Sequence, residues 1–183
     1  MTDEERNYVC SQLMTTESHM EHLILKYFTE DDFRRVWERK IGDGVIGGKA
    51  CGLGEARKLI RTHMPEYAEQ IEPHNSFFIG TGVFYQYLVL NHCEELKARH
   101  RIEKEHFQET EELERRLRNG KIPEDIEKEL VKMLEHYGNT PLIVRSSSIM
   151  EDGYGNAFSG KYESVFCINQ GTPDERLLEL EAA

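Results

Sequence analysis

Apolar residues recur at helical spacing through the first third of the chain. They predict two helices within residues 17–40, the second beginning after Thr29-Glu30-Asp31, and a further helix over residues 49–61. Between these helices, residues 41–48 are dense in glycine, which indicates a loop. The N-terminal third is therefore expected to be helical with one conspicuous glycine interruption.

The middle of the chain combines one short apolar run with long charged stretches. Residues 76–79 predict a strand, and Thr81 is a suitable N-cap for a helix that runs to about residue 91. Residues 94–118 predict one long charged helix, and Pro123 suits the first position of a helix ending near residue 137. The two charged helices are expected to form a helical hairpin over residues 94–137.

Two short strands are predicted near the C-terminal end, at residues 141–146 and 162–168, where β-branched and apolar residues concentrate. The glycine-containing segment 151–160 between them predicts a loop. Thr172 begins a helix with both a capping box and a proline at the first position. This helix has a start signal but no stop signal, so we expect a chain truncated at its C-terminus. The mixture of elements predicts an α+β fold.

Charge and composition narrow the classes of function. Of the 183 residues, 31% are charged, and the formal net charge is −11. Nucleic-acid binding normally needs a basic surface, so we expect no nucleic-acid partner. No apolar run approaches the roughly 20 residues of a membrane span, and no secretory signal begins the chain, so we expect a cytoplasmic protein without membrane contact.

Cysteine and histidine patterns do not indicate a metal site. Four cysteines lie far apart without a CxxC pair, which is typical of reduced thiols in the cytoplasm. Eight histidines include a pair at His19 and His22, but no second cluster completes a tetrahedral set. We assign no metal ligand and expect solvated surface histidines.

Two segments carry donors suited to phosphate. Gly47-Gly48-Lys49 leads into a helix, where free amide hydrogens and a lysine charge favour an anion. Taken alone, the glycines are better explained by a plain tight turn. Arg145 ends an apolar strand and is followed by Ser146 and Ser147. A guanidinium matches phosphate oxygens, whereas an ordinary ion pair with a carboxylate is the alternative. The loop 151–160 could fold over a ligand as a lid or simply connect two strands.

Four motifs in order resemble one family. The chain is similar to the N-terminal ATP-binding domain of pyruvate phosphate dikinase and phosphoenolpyruvate synthase over roughly residues 41 to 183. The matching segments are Ile46-Gly47-Gly48-Lys49-Ala50-Cys51-Gly52-Leu53-Gly54-Glu55, residues 76–81, residues 143–152 and residues 158–164. The resemblance implies the first lobe of an ATP-grasp nucleotide-binding domain.

The resemblance also implies roles for individual residues. Lys49 and Arg145 would contact the ATP phosphates and act in catalysis. The remaining phosphate-binding residues would be Gly47, Gly48, Ser146 and Ser147. The phosphates would be covered by a loop that contains Glu151, Asp152, Gly153, Gly155, Ser159 and Gly160.

The family reaction implies partners outside these residues. The enzyme cleaves ATP to AMP and phosphorylates a histidine on a swivelling domain, which then phosphorylates pyruvate to phosphoenolpyruvate on another domain. Mg²⁺ would be held by residues outside this chain, on the second lobe. We therefore expect the chain alone to be inactive as a phosphotransferase.

Two segments depart from the family pattern. Residues 1–40 form a helical lead-in of unknown role before the lobe at residues 41–183, and the hairpin at 94–137 is expected to be an insertion. Because neither segment is explained by the family pattern, two other functions are considered. A relative could phosphorylate another acceptor, such as a glucan or a rifamycin, or the helices could make a non-catalytic interaction module.

Overall fold

The computed structural model describes residues 1–72, 75–102, 107–148, 152–153, 156–157 and 162–183. Its helices are α1 Asp3–Leu13, α2 Ser18–Tyr27, α3 Glu30–Glu38, α4 Gly48–His63, α5 Thr81–Leu90, α6 Glu94–Ile102, α7 Phe107–Asn119, α8 Glu124–Tyr137 and α9 Pro173–Glu181. A 3₁₀-helix covers Pro65–Gln70. The strands are β1 Lys40–Ile41, β2 Phe78–Ile79, β3 Leu142–Arg145, β4 Asp152–Gly153, β5 Asn156–Ala157 and β6 Ser164–Cys167.

The described strands form three small sheets of two strands each. β1 and β2 are parallel and pair Lys40 with Phe78, whereas β4 and β5 are antiparallel and pair Asp152 with Ala157. β3 lies beside β6. Helices with small sheets agree with the predicted α+β fold.

The chain divides into two compact units. The first contains Met1–Thr81 and Ile143–Val165, and the second contains Gly82–Leu142 and Phe166–Ala183. None of the helices in the described ranges is both long enough and apolar enough to span a lipid bilayer.

Residues 1–40 contribute most of the core of the first unit. Helix α1 packs on α2 and on α3, and α2 packs along α4. The buried cluster consists of Cys10, Leu13, Met14, Ile24, Phe28, Phe33, Ile46 and Cys51. Helix α1 was not expected from the apolar pattern, although Thr2 and Glu5 form its capping box. The lead-in is thus packed against the glycine-loop helix.

The second unit has its core on helix α8, which packs against α9. The apolar face of α8 buries Ile126, Leu130, Met133 and Leu134. Asn169, which is 1% exposed, donates from Nδ2 to the carbonyl oxygens of Gly138 and Thr140 at 2.9 and 2.7 Å. Its Oδ1 accepts a hydrogen bond from Arg176. This polar cluster fixes the turn after α8 against the start of α9.

The prediction of one long helix over residues 94–118 is wrong. Helices α6 and α7 pack on each other, which two segments of one straight helix would not do. At the end of α7, Arg116 donates to the carbonyl oxygen of His92 at 2.7 Å, just before α6 begins. Helices α6 and α7 therefore do not lie along one line, although residues 94–118 contain no glycine or proline that would predict a break.

Two other predictions from the sequence agree only in part with the structure. The segment 151–160 is not wholly a loop, because β4 and β5 within it form a short antiparallel pair. Thr81 is the first residue of α5, and its hydroxyl accepts the Val45 amide at 3.2 Å. The predicted start of the last helix is confirmed, since Thr172 and Glu175 form a capping box before Pro173.

Candidate functional site: a glycine loop packed on a serine segment

The glycine loop at the start of α4 is pressed against the segment that follows β3. Gly47 has a φ of +83° and occupies the N-cap position of α4. A Cβ atom placed on Gly47 would lie 1.8 Å from the carbonyl oxygen of Ser147. Only glycine fits here, because a side chain would meet both the neighbouring backbone and an unfavourable φ.

Ser147 caps helix α4 from almost a hundred residues away in sequence. Its carbonyl oxygen accepts the Gly48 amide at 3.2 Å, and its hydroxyl oxygen accepts the Ala50 amide at 3.1 Å. Gly47 itself has no side chain to make such a bond. Two of the amide donors at this helix N-terminus are therefore already engaged by Ser147.

Lys49 joins the two motifs through its side chain. Its ammonium group donates to the hydroxyl oxygen of Ser146 at 3.1 Å in a partly buried contact. Gly47, Gly48, Lys49, Ser146 and Ser147 are thus brought together, as a shared phosphate site requires.

Arg145 stands at the exposed end of β3. The side chains of β3 alternate in burial, and Ile143 on the same face as Arg145 is 48% exposed. Within the described residues, the guanidinium group of Arg145 makes no hydrogen bond or ion pair. In the part of the chain that the structure describes, no carboxylate therefore forms the ordinary ion pair that was the alternative explanation for Arg145. The next residue, Ser146, is the one that Lys49 contacts.

The predicted covering loop is described only in part. Asp152 and Gly153 form β4, whose backbone lies close to α4. Glu151, Gly155, Ser159 and Gly160 lie outside the described residues. The lid interpretation of residues 151–160 therefore stays a prediction.

The other two glycines of α4 have separate explanations. A Cβ atom on Gly54 would lie 3.2 Å from the ring of Phe28, so this glycine allows close packing with the end of α2. A Cβ atom on Gly52 would meet nothing within 4 Å. Of the two, only Gly54 is required by packing.

The middle of α4 carries a buried thiol and a buried carboxyl. Cys51 is fully buried, and burial raises the pKa of its thiol to about 12. Its Sγ donates to the carbonyl oxygen of Met14 at 3.1 Å. Burial also raises the pKa of Glu55, which is 6% exposed. Cys51 is therefore protonated near neutral pH and is not a nucleophile there, because the thiolate is the reactive form.

A second feature of the first unit was missed by the sequence analysis. A cleft of about 380 Å³ lies between α3 and α4, and basic side chains line it: Arg35, Arg39, Arg57, Lys58 and Arg61. The available signal was their spacing of three or four residues on each helix. It was overlooked because the chain as a whole is strongly acidic.

The comparison with known families agrees with the motifs. Residues 43–182 match the model of the pyruvate phosphate dikinase AMP/ATP-binding domain. The chain belongs to this family. The predicted resemblance to the pyruvate phosphate dikinase family is confirmed, and the match includes both the glycine loop of α4 and Ser147.

The chain accordingly carries an AMP/ATP-binding domain of the pyruvate phosphate dikinase family, with ATP as its ligand. Helices α1, α2 and α3 precede the matched residues. No match was found among curated proteins or among solved structures.

Proposed function

We propose that the chain binds the phosphates of ATP through Lys49 and Arg145, within a phosphotransferase that passes a phosphoryl group to a histidine on another domain and then to pyruvate. The observation that supports this proposal is the packing of the Gly47 loop on Ser147. It unites the two motifs that carry phosphate donors, although they lie far apart in sequence.

The two cations would have different tasks. The Lys49 ammonium is a compact charge held near Ser146, and it would move from the serine hydroxyl to a phosphate oxygen. The Arg145 guanidinium offers a planar fork that can bind two oxygens of one phosphate. Together they would fix and neutralise the phosphate chain, which is the main task of a protein in phosphoryl transfer.

The serines and glycines would act around these cations. The Ser147 hydroxyl oxygen accepts the Ala50 amide, so its own proton can still be donated to a phosphate. Gly47 and Gly48 shape the loop and keep it on Ser147. Because the Gly48 and Ala50 amides are engaged, the side chains would supply the principal phosphate contacts, with the positive end of the α4 dipole in support.

Mg²⁺ would neutralise phosphate charge when it accompanies ATP. Within the described residues, no cluster of three or more His, Cys, Asp or Glu side chains is arranged to hold a metal ion. The family resemblance implies that the ligands of Mg²⁺ would lie on the second lobe, outside these residues.

The identity of the phosphate acceptor belongs to the same proposal. A relative that phosphorylates a glucan or a rifamycin would bind ATP through the same loop, so the site does not select the acceptor. A non-catalytic module would use the helices of residues 94–137 instead. The confirmed family favours the ATP-binding function. The ATP-grasp lobe, the domain boundary at residue 41, the covering loop and the cytoplasmic location remain predictions.

The phosphate site is tested by ATP binding to the 183-residue chain, measured by isothermal titration calorimetry. Replacing Lys49→Gln or Arg145→Gln should weaken binding by about tenfold to a hundredfold, since each removes a charge-assisted hydrogen bond. Arg118→Gln, an exposed change in the second unit, serves as the matched control. If both loop variants bind ATP like the wild type, the assigned roles are wrong.

The histidine step is tested separately in the full-length enzyme. Incubation with ATP should label a histidine with phosphate that acid releases and base does not. Lys49→Gln should lower this labelling while the circular dichroism spectrum stays unchanged. Labelling of a serine or of a carbohydrate in place of histidine would identify a different acceptor.

A further inference from the structure

The cleft between α3 and α4 combines an apolar floor with a basic rim. Its volume is about 380 Å³, within the range of pockets that hold small molecules. The floor contains Met14, Phe28, Val36, Ile46 and Phe78, and the rim contains Arg35, Arg39, Arg57, Lys58 and Arg61. An aromatic and aliphatic floor suits a ring, while the rim suits an anion.

The rim carries more positive than negative charge. Asp32 and Glu38 are the acidic residues that line the cleft, against five cations. Asp32 pairs with Lys58 at 2.5 Å, and Arg35 pairs with Asp31 at 2.7 Å. Glu38 pairs with Arg34, and neither Asp31 nor Arg34 lines the cleft. Among the described residues, neither Arg57 nor Arg61 forms an ion pair with a carboxylate. A concentration of positive charge inside a protein of net charge −11 favours a specific anionic ligand.

Arg57 and Arg61 place two guanidinium groups beside each other in the cleft. They lie one turn apart on α4, where like charges repel. Burial and the charge of Arg61 lower the pKa of Arg57, whose hydrogen bond goes to the neutral carbonyl oxygen of Glu72 at 2.5 Å. Within the described residues, the guanidinium group of Arg61 makes no hydrogen bond or ion pair. An anion between these two guanidinium groups would relieve their repulsion.

The part of the cleft beside Arg57 and Arg61 lies away from the proposed ATP-phosphate site, which the cleft adjoins at Ile46 and Ala50. Lys49, Ser146 and Ser147 are not among its lining residues. Arg61 lies twelve residues after Lys49 on the same helix, which is about 18 Å along the axis at 1.5 Å per residue. Arg35 and Arg39 belong to a part of the chain that precedes the family match at residues 43–182. The cleft is thus built partly from residues outside the family domain.

We propose that this cleft binds a small phosphorylated molecule with a ring or other apolar group. Its phosphate would lie between Arg57 and Arg61, because guanidinium forks match phosphate oxygens. Its apolar part would rest on Phe28 and Phe78 at the floor. This second anion site does not depend on the role proposed for Lys49 and Arg145.

The test uses phenyl phosphate as the probe and the 183-residue chain, with inorganic phosphate and phenol for comparison. Titration followed by amide chemical shifts should show saturable binding of phenyl phosphate, tighter than that of either fragment. Arg57→Gln and Arg61→Gln should each weaken it by about tenfold or more. Arg118→Gln and Lys49→Gln should leave it unchanged. Arg61 is exposed, so its variant tests the proposal even if Arg57→Gln unfolds the helix.

Several results would overturn the proposal. If a folded Arg61→Gln variant binds phenyl phosphate as tightly as the wild type, the phosphate does not bind beside Arg61 and the proposal is wrong. Loss of binding in Lys49→Gln would place the probe in the ATP loop. No saturation at millimolar phenyl phosphate, or saturable binding only of an acidic peptide, would exclude the small-molecule class. ATP titration of Arg61→Gln separates the two sites, since affinity for ATP should stay as in the wild type.

Discussion

The start of α4 and the body of α7 are both rich in polar side chains, yet their contacts have different ranges. At α4, Lys49 and Ala50 form hydrogen bonds with residues 97 positions away in sequence. In α7, Glu112 forms ion pairs with Arg115 and Arg116, three and four residues further on. The contacts at α4 connect two distant motifs, whereas those in α7 connect neighbouring residues on the surface of one helix.

The difference bears on which charged residues are functional. Ion pairs within a single exposed helix are screened by water, so they say little about function. A contact that needs glycine at one position and serine at another distant position constrains the backbone of both segments. The sequence separation between two residues in a polar contact therefore indicates a functional site better than the number of charged residues in a segment does.

The largest predicted effect is at Gly47. Gly47→Ala should lower the free energy of unfolding by about 4 kcal/mol or more, because the added Cβ meets the Ser147 backbone and the φ of +83° is unfavourable for alanine. Urea unfolding followed by circular dichroism measures the change.

Gly52→Ala is the matched control for this variant. A Cβ atom at Gly52 meets nothing within 4 Å, and the residue lies inside α4. Alanine should raise the free energy of unfolding by up to about 1 kcal/mol through helix propensity. Equal effects at the two glycines would mean that the Ser147 contact is not what Gly47 provides.

The second prediction asks whether the second unit also depends on distant polar contacts. Asn169→Ala removes the hydrogen bonds to Gly138, Thr140 and Arg176 from a buried position. Each such bond contributes about 1 kcal/mol, so the free energy of unfolding should fall by about 3 kcal/mol. Asparagine also tolerates the positive φ of 58° at this residue better than alanine does.

The control for Asn169 is its exposed neighbour. Gln170→Ala removes one hydrogen bond to the carbonyl oxygen of Asn139. Its effect on the same urea curve should stay near 0.5 kcal/mol, about the size usual for surface substitutions. A small effect at Asn169 as well would make the helices of this unit independent of the polar cluster.

The third prediction concerns the serine cap of α4. Ser147→Ala removes the hydroxyl that accepts the Ala50 amide but keeps the carbonyl bond to Gly48. Loss of a helix cap costs about 1 kcal/mol of stability, measured by urea unfolding. Ser11→Ala, which loses only an exposed bond to the carbonyl oxygen of Tyr8, should have almost no effect. If the two serine variants behave alike, Ser147 does not act as a cap.

Local signals accounted for the parts of the fold that the sequence could predict. The capping box at Thr172 and the apolar spacing of α4 depend on neighbouring residues, so both were visible. The capping box at Thr2 was equally visible and was overlooked, since α1 has few apolar residues. The division of residues 94–118 into α6 and α7 was not predicted, because no glycine or proline lies in that stretch.

The candidate site shows the same division. Sequence and family resemblance identified Lys49, Arg145 and Ser147 as members of phosphate-binding motifs. The capping of α4 by Ser147 is a long-range contact, so no local pattern could reveal it. The basic cleft was missed because its residues come from two helices, one of which precedes the family domain.

The smallest effect is expected in α7, at the partly exposed carboxylate of Glu112. Hydrogen bonds from Arg115 and Arg116 lower its pKa from 4.5 to about 2 in the folded chain. A pKa that is lower when folded stabilises the fold above pH 4.5, and this contribution is lost as pH falls toward 2. Because solvent screens the group, Glu112→Gln should barely change unfolding at pH 7. NMR titration of the carboxyl should show the low pKa, returning toward 4.5 in an Arg115→Gln, Arg116→Gln variant. An unchanged low pKa in that variant would mean that contacts from beyond α7 hold Glu112, and the contrast with α4 would fail.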